Sequence, residues 1–195
     1  MEDAKADRKR KLMVFFMAFI MISSVFGVIF FGFSSGDSAT KLKYNNYKFV
    51  RKGNLWTANV NGREAIFTYS PADAELIGAK PEITNMLKNR FEIDVTADAN
   101  DTFIQGIALA QFQMKATLAN FNVFVREGFT AGNKFNLSVI RCEDATQFIP
   151  VIYFKKGNST KIYSNESCVI VEASNNADFI MAKDRIVYGM LDIIK

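Results

Sequence analysis

Four carboxylates crowd one short stretch of the chain: Glu92, Asp94, Asp98 and Asp101. Carboxylates grouped in this way can do acid–base work or hold a divalent cation. Glu92 and Asp94 alternate with Phe91, Ile93 and Val95, so on a strand they share the face opposite the apolar row, and a solvated face is the expectation. Asp98 and Asp101 flank the start of a predicted helix, where acidic side chains cap exposed amides. A second group, Glu143, Asp144 and Thr146, directly follows Cys142; such a loop can bind a ligand, and turn chemistry accounts for the same residues. The chain has no histidine. That removes the usual base for a cysteine or serine nucleophile and the histidine-based zinc, copper and haem sites. No catalytic residue, metal site or cofactor is assigned on this sequence.

Cys142 and Cys168 are the only cysteines. No CxxC pair is present, and a disulfide between the two is expected if the domain lies in an oxidising compartment. The alternative is two buried thiols acting as small apolar residues. Four Asn-x-Ser/Thr sequons begin at Asn100, Asn136, Asn158 and Asn165. They would carry glycans in a eukaryote or an archaeon and would stay bare in most bacteria.

The compartment follows from the N-terminus. Arg8, Lys9, Arg10 and Lys11 stand directly before Leu12 to Phe33, a run without a charge. At 1.5 Å per residue that run is about 33 Å long, enough to cross a hydrocarbon core of about 30 Å. Basic residues precede the run and are absent from the polar stretch Ser34 to Thr40 behind it, so the positive-inside rule puts the N-terminus in the cytoplasm and the rest outside. A cleaved signal peptide has the same order of charge and apolar core, but its core is about 7–15 residues long and ends on small residues. Here the run ends in Phe30, Phe31, Gly32 and Phe33. The expected organisation is a cytoplasmic tail over 1–11, a transmembrane anchor over 12–33, a linker over 34–43 and one extracytoplasmic domain over 44–195. Ser23 and Gly27 form a small-xxx-small pair that would let two spans approach as a homodimer.

About 160 residues remain beyond the span, ample for one core. The formal net charge is +4 and the pI about 9.0; residues 1–11 supply five basic and three acidic side chains, leaving about +2 for the rest. Nucleic-acid binding needs a concentrated basic face, and none stands out.

The predicted elements make a mixed α/β (α+β) domain with antiparallel hairpins, a mixed sheet and two main helices. Tyr44 to Phe49, Leu55 to Val60 and Ala65 to Tyr69 read as strands, with Asn61-Gly62 as a two-residue hairpin turn. Ser70-Pro71-Ala72-Asp73 opens a short helix that Gly78 stops, and Pro81 to Asn89 forms another. A strand from Phe91, a helix over 102–119 and a strand over Phe121 to Arg126 make a β-helix-β crossover with parallel strands. Strands follow at Phe135 to Arg141, Val151 to Lys155, Lys161 to Tyr163 and Val169 to Glu172. Asp178 is expected to cap a last helix reaching Ile194, with Asp184 and Arg185 on its polar side.

The pattern running from Cys142-Glu143-Asp144-Ala145-Thr146 through Pro150-Val151-Ile152 and Gly157-Asn158-Ser159-Thr160 to Cys168-Val169-Ile170-Val171-Glu172 and Asp184-Arg185 resembles small archaeal membrane-anchored proteins of unknown function. It covers about the last third of the chain. The resemblance implies an anchor with an extracytoplasmic α/β domain and brings no activity. The functional expectation is an anchored binding or assembly module whose partners are the lipid bilayer and another membrane or surface protein. An envelope enzyme using the carboxylates above, and an accessory subunit of a larger membrane complex, are the alternatives.

Overall fold

Asn61 and Gly62 both adopt positive φ, 52° and 82°, the geometry a tight hairpin requires and one that these two residue types tolerate. The computed structural model describes residues 40–132 and 134–195. In it this turn joins the last two strands of an antiparallel meander: β1 (Lys41–Tyr44), β2 (Tyr47–Lys52), β3 (Leu55–Val60) and β4 (Arg63–Phe67). Two details depart from the sequence reading. The run from Tyr44 to Phe49 is a hairpin, turned at Asn45 with φ 50°, and β1 opens at Lys41, inside the stretch read as linker. The basic tail, the anchor over 12–33 and the linker up to residue 39 lie outside the described residues. Among the described residues no helix is long and apolar enough to cross a membrane.

Helices α1 (Pro71–Glu75) and α2 (Pro81–Leu87) start where their prolines predict, the first with a capping box between Ser70 and Asp73. The rest builds a six-stranded sheet from β5 (Glu92–Ala97), β6 (Phe124–Phe129), β7 (Ser138–Val139), β8 (Val151–Lys156), β9 (Lys161–Asn165) and β10 (Cys168–Ala173), in the order β7-β6-β5-β8-β10-β9. All neighbours are parallel except β9, which runs antiparallel to β10 at the edge. Helix α3 (Ile104–Ala119) makes the expected parallel crossover from β5 to β6. The strand expected over Phe135 to Arg141 shrinks to two residues. Its flanks instead cross the helix-free face of the sheet and deliver Ile140 onto Val151 and Cys168.

Helix α4 (Asn176–Met190) is the centre of the fold. Phe179 packs on Phe154 of the six-stranded sheet, while Tyr188 stacks on Phe67 of the meander with ring centroids 3.9 Å apart. The helix therefore lies between two sheets, and α3, α1 and α2 also pack against it. This corrects the surface placement of Asp184 and Arg185: both are buried, as is Lys183. Counting round a helical wheel finds a polar side, but that side faces the meander and the α1–α2 segment instead of water. The cap is also different. Asn175 accepts from the Asp178 amide at 3.0 Å, and Asp178 is the third residue of the helix, bonded to the Thr160 hydroxyl.

Gly128 of β6 tests how tightly β7 is held. A Cβ there would lie 2.6 Å from the Ser138 carbonyl oxygen and from the Ile140 side chain. Gly128→Ala is expected to push β7 off the sheet and to cost about 1–3 kcal/mol, the usual penalty for overpacking. Denaturant unfolding, with hydrogen exchange at residues 138–140, measures it.

Candidate functional site

The carboxylates singled out by sequence have structural partners, Glu143 excepted. Asp94 is buried, and Arg126 grips it with two bonds, Nε to Oδ1 at 2.8 Å and Nη2 to Oδ2 at 2.6 Å. The solvated face expected for Asp94 is thus corrected: β6 lies beside it and supplies the guanidinium. Glu92 adds a looser contact to Arg126 at 3.5 Å. Asp98 accepts from the Asn100 amide, and Asp101 accepts from the amides of Phe103 and Lys156, both at 2.8 Å. Asp144 accepts from the Arg141 amide, closing the 3-10 turn over Cys142–Asp144. Thr146 receives the Ile149 amide, and Glu143 is exposed. Among the described residues no group of three acidic or cysteine side chains is arranged to hold a metal ion.

A charged cluster that the sequence did not announce lies on the helix-free face of the sheet. Lys155, Glu172 and Lys161 are register partners across β8, β10 and β9. Glu172 accepts from the Tyr163 hydroxyl at 2.6 Å and pairs with Lys161 at 2.9 Å and Lys155 at 3.1 Å. These bonds, that from Lys161 foremost, pull the Glu172 carboxyl from its ordinary 4.5 down to about 2. A depressed carboxylate stabilises the fold above its ordinary value, and that stabilisation disappears as pH falls through the folded value. Unfolding free energy is therefore expected to drop between pH 4.5 and about 2, and Glu172→Gln should flatten that part of the profile. Chemical denaturation across the window reads both.

Cys142 and Cys168 are disulfide-bonded, with Cα atoms 5.2 Å apart. Cys168 is buried against Ile140 and Val151, so the bridge ties the crossing segment to β10. That segment exposes Phe135, Val139 and Phe148, the last to 69 %. The four sequon asparagines, Asn100, Asn136, Asn158 and Asn165, are all exposed.

A cavity of about 410 Å³ opens at the N-terminal edge of the parallel strands. Its volume is within the range of small-molecule sites. The C-terminal ends of α2, α3 and α4 meet there with the β3–β4 turn and the start of β5. Apolar walls come from Leu118, Phe121 and Met190, and Phe91 stands at the rim 86 % exposed, although its alternation with Ile93 and Val95 predicts an inward ring. Lys88 pairs with Asp192 at 2.5 Å. Arg90 donates through Nε to the Met86 carbonyl of α2, and Arg63 to the Asn120 carbonyl of α3. These cations cap helix C-termini, where the backbone dipoles favour them. The sequence reading missed this cavity because its lining comes from four stretches, around residues 60–61, 88–91, 118–123 and 190–192, that are far apart in the chain.

Comparison with protein-family models, with curated proteins and with solved structures finds no match.

Proposed function

We propose that the chain is a single-pass membrane protein with its N-terminus in the cytoplasm, anchored by residues 12–33, and that its folded domain works outside the membrane by binding or assembly. The observation that carries this reading is the Cys142–Cys168 disulfide, since such bridges persist in oxidising compartments. The basic cluster Arg8 to Lys11 ahead of an uncharged run supports the same orientation. Four exposed sequon asparagines are compatible with glycosylation there. Binding is favoured over catalysis because the grouped carboxylates are already committed to Arg126 and to backbone amides.

Labelling intact cells with a membrane-impermeant amine reagent tests the topology. Lys52 and Lys161, both exposed, should be modified, and Lys5, Lys9 and Lys11 should react only after the membrane is opened. The reverse pattern would contradict the proposal.

The accessory-subunit reading has its own support in the apolar side chains that the disulfide-held segment presents to solvent, since apolar surface grouped in this way commonly marks a protein contact. A Phe148→Asp chain should then lose a partner that co-purifies with the unaltered protein in mild detergent.

A further inference from the structure

We propose that the cavity at the N-terminal edge of the parallel strands binds a neutral carbohydrate of one or two rings. Three features select this chemistry. The first is the polar lining. Asn61, Asn89, Asn122 and Asp192 all border the cavity with φ between 52° and 61°. Glycine meets that backbone requirement most easily, yet each position carries a carboxamide or a carboxylate. The side chains of Asn61 and Asn89 make no hydrogen bond to the described protein, leaving donors and acceptors side by side for hydroxyl groups, which are both at once.

The second feature is the rim. Phe91 is 86 % exposed beside the apolar wall formed by Phe121, and an aromatic face of this kind suits the C–H side of a sugar ring. The third is electrostatic and separates a sugar from an anion. Three helices direct their negative ends at the cavity, and Lys88 is already paired with Asp192. Arg90 and Arg63 are likewise committed to helix carbonyls, so among the described residues no unpaired cation remains at the cavity to hold an anion, whereas a neutral polyol needs none.

This gives the binding reading its ligand class and rests on it only for the claim that the domain binds; a failed topology test would leave it standing. The experiment is saturation-transfer NMR on the full-length protein in a detergent without a sugar headgroup. The probes are glucose, mannose, galactose, N-acetylglucosamine, maltose and cellobiose, with glucuronate and dodecanoate as anionic comparators. Transfer to at least one neutral sugar is expected, with affinity about tenfold weaker in Phe91→Ala and reduced in Asn89→Gly, which keeps the backbone free to hold its conformation. Both variants alter exposed side chains, so the fold should survive, and circular dichroism checks it. Transfer to glucuronate or dodecanoate alone, neutral-sugar binding indifferent to both substitutions, or no transfer to any probe would each overturn the proposal.

Discussion

Asp184→Ala is expected to destabilise the domain by about 3–5 kcal/mol, the cost of leaving a buried charge without its partner. Asp184 is fully buried, and its Oδ2 accepts the amides of Thr68 (2.9 Å) and Tyr69 (2.8 Å), where β4 turns towards α1. Its Oδ1 accepts from the Lys183 ammonium, itself buried. Truncation therefore strands two amides and one ammonium together. Burial raises the Asp184 pKa, with Lys183 and the two amides acting against that shift. This makes the two partners unequal. In Lys183→Met the carboxyl can take up a proton and still accept both amides, so that variant should lose clearly less. Against a typical domain stability of about 5–15 kcal/mol, Asp184→Ala should be partly unfolded at moderate urea while Lys183→Met is not. Equal losses in the two variants would mean that the backbone bonds contribute little.

Replacing both cysteines by alanine is expected to cost about 3–3.5 kcal/mol, from the chain-entropy effect of closing a loop of this length; the bridge spans a sequence separation of 26. The loss should be local in its first effects. The crossing segment is held to the sheet by Cys168, Ile140 and Val151, by the Thr96 hydroxyl on the Ile140 carbonyl at 2.8 Å and by the Arg141 guanidinium on the Thr130 carbonyl at 2.9 Å. Amides around residues 138–145 should therefore exchange faster in the alanine variant at low denaturant, while those of α4 stay protected until global unfolding. Urea curves of the unaltered protein with and without reductant should reproduce the same difference. Coincident curves would show that the bridge adds nothing to the fold.

Local chemistry was readable in the sequence. Asn61-Gly62, Pro71, Pro81 and the period of residues 104–119 each determine their own element through φ, a missing amide or an apolar face. Features that depend on a second layer were not. Asp184 reads as polar surface until the meander is laid over α4, and Asp94 reads as solvated until Arg126 arrives from β6. The β1–β2 turn hid in a run whose lysines alternate on half-exposed strands, so neither apolar period nor glycine marked it. β10 inserts between β8 and β9, an order that no turn signal encodes. The cavity had one faint trace, asparagine or aspartate two or three residues past the end of each of three helices, a pattern ordinary capping also produces.

Intact mass and thiol labelling of the protein purified from its own membrane without reductant test the anchored, exported domain most directly. The expected result is a full-length chain, lighter than its reduced form by a pair of hydrogens before any glycan mass is added, with both thiols unreactive. A chain lacking its first 30 to 40 residues would make this a secreted protein, and two freely alkylated cysteines in a full-length chain would contradict the compartment on which the proposed function depends.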